Sequence, residues 1–211
     1  MICIFCTSFC WSQETFEGVI TYKIELTFKK EDVPNKAYIA QKFGDTLKIF
    51  YNKKGDIHKK YIGSGAQGYD FHTYKTNTNN FYAKWENIDT LYHYNVNENI
   101  LTFLSKESGT SEAILNKPSK YILIKGYVAE TNEMVHQKFY YTGFPYLNPA
   151  LFKNFKEFFL DEILKTSKSP FLKKTLEMDD FIITYTVIKI ERKFLSPKIF
   201  KLPKNIPQKK T

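Results

Sequence analysis

The chain has 211 residues, of which 43% are hydrophobic and 17% are aromatic. A chain of this length and composition is expected to fold as one globular domain and is too apolar to be mainly disordered. Its formal net charge of +9 comes almost wholly from lysine, because Arg192 is the only arginine. Nucleic-acid recognition favours arginine and clustered charge, so these scattered lysines argue against a nucleic-acid-binding function.

Residues 1–12 are predicted to form a signal-peptide-like segment. They are rich in apolar residues, and small side chains permit cleavage after Ser12, with cleavage after Gln13 nearly as plausible. No run of about 18 apolar residues occurs in the chain, so no membrane-spanning helix is expected. We therefore expect an exported protein that lies in the periplasm or is associated with the outer membrane.

Two alternatives to a cleaved signal peptide remain open. No lysine or arginine precedes Lys23, so the segment lacks a basic region and could instead be a buried first strand. Cys10 could be lipidated, although a lipobox needs a small residue where Phe9 stands. All three cysteines of the chain lie in this segment, so a cleaved protein would contain no disulfide.

The stretch from Phe16 to Phe28 has a strict period of two. Every even position is apolar or glycine, whereas the odd positions are polar except for Val19. Because successive side chains of a strand point to opposite faces, this pattern predicts one long antiparallel strand with a dry face and a wet face.

Further β patterns follow along the chain. Strands are predicted at 47–51, 57–61, 81–85, 91–96, 100–104, 121–129, 134–142 and 181–187. The polar stretch 105–120, which contains Gly109 and Pro118, is predicted to be irregular. In the last strand the apolar phase shifts to Ile188 and Ile190, which indicates a β-bulge.

The period changes once, after Asn148-Pro149, a typical helix N-cap followed by proline at the first position. Apolar residues then recur at helical spacing, at Leu151, Phe155, Phe158, Phe159 and Ile163. The outward face is expected to hold Lys153, Lys156, Glu157 and Asp161. The prediction is one long amphipathic helix that ends at Ser169-Pro170.

These elements predict an α+β fold, in which a strongly curved, half-barrel-like antiparallel sheet carries the long helix across its apolar face. Residues 13–203 are expected to form a single β-rich domain, and 204–211 a basic flexible tail.

A search for catalytic or cofactor chemistry finds no catalytic, cofactor-binding or metal-binding residues. The four histidines, His58, His72, His93 and His136, lack metal-ligand spacing. Residues 63–68 match G-x-G-x-x-G, but no helix is predicted after them to meet a phosphate. Glu157, Asp161 and Glu162 are expected to form a solvated face paired with lysines. The sequence thus favours a non-enzymatic protein without a cofactor.

Aromatic residues are abundant on faces that should point inward. They either form a filled core or line an apolar cleft between the sheet and the helix. The candidate ligand-lining residues are Tyr22, Trp85, Phe139, Tyr141, Phe155 and Phe159.

The order of several short motifs resembles that of secreted envelope proteins of Gram-negative bacteria of the GLPGLI type and related uncharacterised families. The motifs are Phe16-x-Gly-x-Ile-x-Tyr22, Tyr51-Asn52 with Gly55, Lys120 to Tyr127, Tyr140-Tyr141, Leu147-Asn148-Pro149 and Phe200 to Pro203. More remotely, the layout is similar to the LolA/LolB-like outer-membrane lipoprotein carriers. The resemblance implies an extracytoplasmic setting and lipid handling, and it provides no catalytic residues.

The functional prediction is an envelope protein that binds a lipid or a lipoprotein acyl chain in the cleft. The alternative is a structural or interaction module of the cell envelope, with a fully packed core and a protein partner.

Overall fold

A computed structural model describes residues 13–211, so the predicted signal-peptide-like segment lies outside the described residues. The strands are β1 (Gly18–Phe28), β2 (Thr46–Tyr51), β3 (Ile57–Ile62), β4 (Tyr69–Lys75), β5 (Asn80–Trp85), β6 (Leu91–Asn95), β7 (Leu101–Ile114), β8 (Lys117–Val128), β9 (Glu133–Tyr141), β10 (Lys173–Glu177), β11 (Phe181–Arg192) and β12 (Gln208–Lys210). The α-helices are α1 (Lys36–Phe43) and α2 (Leu160–Ser167), and 3₁₀-helices span Pro149–Phe152, Glu157–Phe159 and Pro197–Phe200.

All of these strands belong to one open sheet with the order β12-β6-β5-β4-β3-β2-β1-β11-β10-β9-β8-β7. Neighbouring strands are antiparallel except β12, which runs parallel to β6. The predicted α+β fold with a purely antiparallel sheet is therefore wrong, since the protein is mostly β and its sheet is mixed. The parallel strand, Gln208–Lys210, lies within residues 204–211, which were predicted to be a flexible tail.

Strand β1 is the central element, paired with β2 on one side and β11 on the other. Its even positions Ile20, Tyr22 and Ile24 are buried in the main core, as the period of two predicts. The Tyr22 hydroxyl donates a hydrogen bond of 2.9 Å to the carbonyl of Phe171, so the buried phenol is not left unpaired.

The opposite face of β1 is partly dry as well. Val19, the one apolar residue among the odd positions, is buried there. It packs with Leu195 and Phe200 from the segment that follows β11. The end of the chain thus covers part of a face that the alternation alone predicts to be wet.

The predicted bulge in the last strand is confirmed. Tyr22 pairs with Val187 and Thr21 pairs with Lys189, so Ile188 is the extra residue between them. The side chain of Ile188 is 57% exposed. The shift in apolar phase along β11 is therefore the sequence trace of this bulge.

The prediction that residues 105–120 are irregular is wrong, because they form most of the β7–β8 hairpin. Leu115 and Asn116 make its turn, both with positive φ. The hairpin lies at the end of the sheet, and most side chains of β7 are exposed. An edge strand exposed on both faces lacks an apolar alternation, which explains why the sequence pattern failed here.

The predicted long amphipathic helix is also absent. Residues 149–167 form two 3₁₀-helices followed by α2, which has eight residues. The predicted cap is confirmed at the start, where the Asn148 side chain accepts a hydrogen bond from the Ala150 amide. No helix within residues 13–211 is long and apolar enough to cross a membrane.

Contacts with the β5–β7 region explain why this helix is interrupted. The Lys156 amide donates to the carbonyl of Val96, and the Phe158 amide donates to the side chain of Asn99. Phe158 and Phe159 both have positive φ, which no continuous right-handed helix permits. Tertiary hydrogen bonds thus outweigh the local helical pattern.

Replacing Ile183 with alanine should reduce the free energy of unfolding by about 2–5 kcal/mol, because the removed methyl groups leave a cavity in the core. Ile183 is fully buried on β11. The matched control is Ile188→Ala on the same strand, which should change stability by less than about 0.5 kcal/mol since its side chain is exposed. Urea unfolding measures both values, and similar losses in the two variants would contradict the assignment of the core face.

Candidate functional site

A cavity of about 580 Å³ lies against the inner face of the sheet. Its walls come from α1, from β2 to β6, from β8 to β11, from the segment 155–171, and from Ile100 and Leu147 in the connecting loops. Most of the lining side chains are aliphatic or aromatic. Strands from both halves of the sheet therefore enclose one shared apolar space.

Three of the candidate ligand-lining residues lie on this cavity, namely Phe139, Tyr141 and Phe155. The ring of Phe155 packs against that of Tyr74, with 4.5 Å between their centroids. The ring of Phe139 packs against that of Phe171 at 6.2 Å. These ring contacts hold the wall of the cavity in place.

The structure places the other three candidates elsewhere. Tyr22 is fully buried in the core, where its ring centroid is 4.6 Å from that of Phe171. Phe159 packs edge-on against Phe103 of β7, with 5.6 Å between ring centroids. Trp85 faces a different depression, which it lines together with Tyr38 and Tyr92. Their shared inward phase did not bring them to one site.

An aromatic and histidine cluster lines the wall formed by β3 and β4. Tyr61 and His72 form a hydrogen bond of 3.1 Å between the phenol oxygen and Nδ1. Burial, with a smaller contribution from nearby lysines, lowers the pKa of His72 well below its ordinary value. This shift favours the neutral form of the imidazole.

Two lysines project into the cavity from opposite halves of the sheet. Lys59 lies on the inner face of β3 between Ile57 and Tyr61, and Lys174 lies on the inner face of β10. The ammonium group of Lys59 is 5.5 Å from the Phe81 ring centroid. Both side chains are half-buried, since they border the cavity space while apolar groups surround them.

The apolar surroundings shift the pKa values of both lysines. Burial lowers the pKa of Lys174 to about 7, and the nearby positive charge of Lys59 contributes to this shift. Burial also lowers the pKa of Lys59. Both shifts reflect the free energy needed to keep an ammonium group away from water.

The negative charge of Glu157 raises the pKa values of both lysines and so opposes part of the effect of burial. Glu157 is buried, and one of its oxygens accepts a hydrogen bond of 2.8 Å from the Tyr94 hydroxyl. Burial raises the pKa of Glu157, while the Tyr94 hydrogen bond acts in the opposite direction. Within residues 13–211, neither Lys59 nor Lys174 has a carboxylate oxygen within the 4.0 Å of an ion pair.

The prediction that Glu157 lies on a solvated helix face is thus wrong. Because the helix breaks, Glu157 turns into the protein and meets Tyr94. Asp161 does pair with Lys156, and Glu162 is half exposed near Lys106. The predicted pairing with lysines therefore holds for both acidic residues within α2, whereas a solvated position holds only for Glu162, because the Asp161 side chain is 15% exposed.

Lys59, Lys174 and Glu157 were not among the ligand-lining residues predicted from the sequence. The available signal was the alternation itself, because Lys59 shares the phase of two apolar residues in Ile57-Lys59-Tyr61. Lys174 likewise shares the phase of Leu172 and Leu176. A lysine on the dry face of a strand indicates a charge that must face either a partner or a cavity.

The glycine-rich segment 63–68 packs against α1 and does not form a phosphate-binding loop before a helix. The Gly65 amide donates to the carbonyl of Gln41 at 3.0 Å, and strand β4 rather than a helix follows the segment. In the part of the chain that the structure describes, no group of three or more His, Cys, Asp or Glu side chains is arranged to hold a metal ion.

Comparisons with known proteins do not indicate a function for the chain. No protein-family model matches the chain, and no curated protein matches it either.

Replacing Lys174 with methionine should raise the free energy of unfolding near neutral pH, because no ammonium group is then held in apolar surroundings. The pKa of Lys174 is about 7 in the folded protein and about 10.4 in an unfolded chain. Between these values the unfolded chain binds more protons, so the wild-type protein gains stability as pH rises through this window. The advantage of Lys174→Met should therefore shrink toward about pH 10 in urea unfolding experiments.

Lys173→Met is the control for this measurement. Lys173 is the preceding residue on β10, and its ammonium group lies 5.5 Å from the Tyr140 ring centroid, outside the cavity lining. Its substitution should shift stability by a similar amount at every pH in the window. If the free energies of unfolding of Lys174→Met and Lys173→Met change with pH in the same way, the Lys174 ammonium group does not destabilise the folded protein as inferred.

Proposed function

We propose that the protein is a non-enzymatic binding protein that holds a lipid-like ligand in the cavity. The observation that carries this proposal is a cavity of about 580 Å³ with mainly aliphatic and aromatic walls. Ligand pockets in proteins typically measure about 300–1,000 Å³ and combine apolar walls with a few polar groups. An acyl chain, whether of a free lipid or of a lipoprotein, is the simplest occupant of such a space.

A second candidate function has its own support at the edge of the sheet. Strand β7 has 14 residues and pairs within residues 13–211 only with β8. Phe103 and Leu104 on this strand are about half exposed. A long exposed edge is suited to strand addition by a protein partner, as the interaction-module hypothesis requires. That hypothesis also assumed a filled core, however, and the cavity argues against that part.

A direct test is titration with N-phenyl-1-naphthylamine, a neutral apolar dye whose fluorescence rises in apolar surroundings. The wild-type protein should bind it. Leu176→Trp should weaken binding at least about tenfold, since Leu176 lines the cavity and the larger side chain fills part of it.

The matched control for this titration is Thr175→Trp. Thr175 is adjacent on β10, so its side chain points to the opposite face of the strand. This variant should bind the dye like wild type. If the wild-type protein does not bind the dye, or if both variants lose binding equally, the cavity is not a binding site for apolar molecules.

We also propose that the protein acts outside the cytoplasm, in the cell envelope. The support is the apolar N-terminal segment with small residues before the expected cleavage sites. Mass spectrometry of the protein from the envelope fraction of its host should show an N-terminus at Gln13 or Glu14. An intact Met1 on protein recovered from the cytoplasm would contradict export.

A further inference from the structure

Positive charge exceeds negative charge in the part of the cavity that Lys59 and Lys174 line. Besides these two residues, the charged side chains on the cavity are Lys42, Glu133 and Glu157. Among residues 13–211, Glu157 is the only carboxylate whose charge influences the pKa of Lys59 or Lys174. Two ammonium groups therefore share one carboxylate.

The remaining two charged groups lie against other surfaces. The pKa of Glu133 is raised by its own burial and by the nearby charges of Asp179 and Asp180. The ammonium group of Lys42 is 5.3 Å from the Tyr69 ring centroid, on the α1 side. Neither Glu133 nor Lys42 is among the groups that shift the pKa of Lys59 or Lys174. They therefore do not alter the excess of two ammonium groups over one carboxylate.

The contacts of the two ammonium groups compensate their charges only in part. The Lys174 group is 5.0 Å from the Phe139 ring centroid and 5.8 Å from that of Phe158. Cation–π contacts of this kind offset only part of the free energy of removing an ammonium group from water. Glu157 already accepts the Tyr94 hydrogen bond, so only part of its hydrogen-bonding capacity remains for the lysines.

The surrounding space suits a molecule with one charged end. Lys59 on β3 and Lys174 on β10 both line the cavity, and they are close enough for the charge of Lys59 to lower the pKa of Lys174. The rest of the lining is mainly apolar and includes Phe139, Tyr141 and Tyr185. A fully apolar ligand would leave the ammonium groups unpaired, and a cationic headgroup would be repelled by them.

Building on the proposed function, we propose that the ligand is an amphiphile with a single anionic headgroup, a carboxylate or a phosphate monoester, held between Lys59 and Lys174. Its apolar chain lies along the aromatic wall. Hydrogen bonds between an ammonium group and an anionic oxygen are charge-assisted, and they gain strength where water is excluded.

Three ligands with the same chain test this inference: dodecanoate, dodecyl phosphate and the neutral dodecanol. Each displaces N-phenyl-1-naphthylamine from the full chain, so one assay compares all three. Wild-type protein should bind at least one anion about tenfold more tightly than the alcohol, as expected for a charge-assisted hydrogen bond. Tighter binding of dodecanoate identifies fatty acids as the source, and tighter binding of dodecyl phosphate identifies phosphorylated lipids.

Variants at the two lysines provide the decisive comparison. Lys59→Met and Lys174→Met should each weaken binding of the preferred anion about tenfold and leave dodecanol binding unchanged. Lys60→Met and Lys173→Met are the controls, because these neighbouring lysines lie outside the cavity lining. They should bind all three ligands like wild type.

The outcomes separate this inference from the proposed function. If wild type binds the dye and dodecanol as tightly as both anions, the anionic headgroup is refuted and apolar binding stands. Equal losses in the cavity variants and their controls would also refute it. If wild type binds neither the dye nor any of the three ligands, the proposed function itself fails.

Discussion

The double pairing of β1 is the constraint on which the rest of the structure depends. Strands β2 to β6 follow β1 in one meander, and β7 to β11 form a second that returns to it. The backbone of β1 joins the two through its ladders with β2 and β11. Its buried side chains Ile20, Tyr22 and Ile24 provide the core on which both halves pack. The cavity has walls from two distant parts of the chain because this one strand connects them.

The segment between β9 and β10 shows how the cavity acquires its remaining wall. A regular helix from Pro149 would satisfy its own amides, whereas this segment donates two of them to Val96 and Asn99. Those bonds connect it to the β5–β7 region and turn Glu157 inward toward Tyr94. The broken helical geometry is therefore directly linked to the electrostatics of the cavity.

The lysines give the cavity its chemical character. An apolar space without them would accept any hydrophobic molecule of suitable size, with little discrimination between headgroups. Two ammonium groups held in apolar surroundings with one shared carboxylate lower stability, and the proposed anionic ligand would supply the missing negative charge. In the proposed function, Lys59 and Lys174 would thus reduce stability while providing specificity for the headgroup.

The sequence by itself determined the features that depend on neighbours along the chain. The alternation along β1 predicted its buried face, and the phase change at Ile188 predicted the bulge. Asn148 before Pro149 predicted the helix cap. Only the tertiary structure decided where the helical pattern breaks and which aromatic side chains reach the cavity. It also decided that Lys59 and Lys174 share one space. Strand phase assigns a side chain to a face, but its partners on that face come from strands that are distant in sequence.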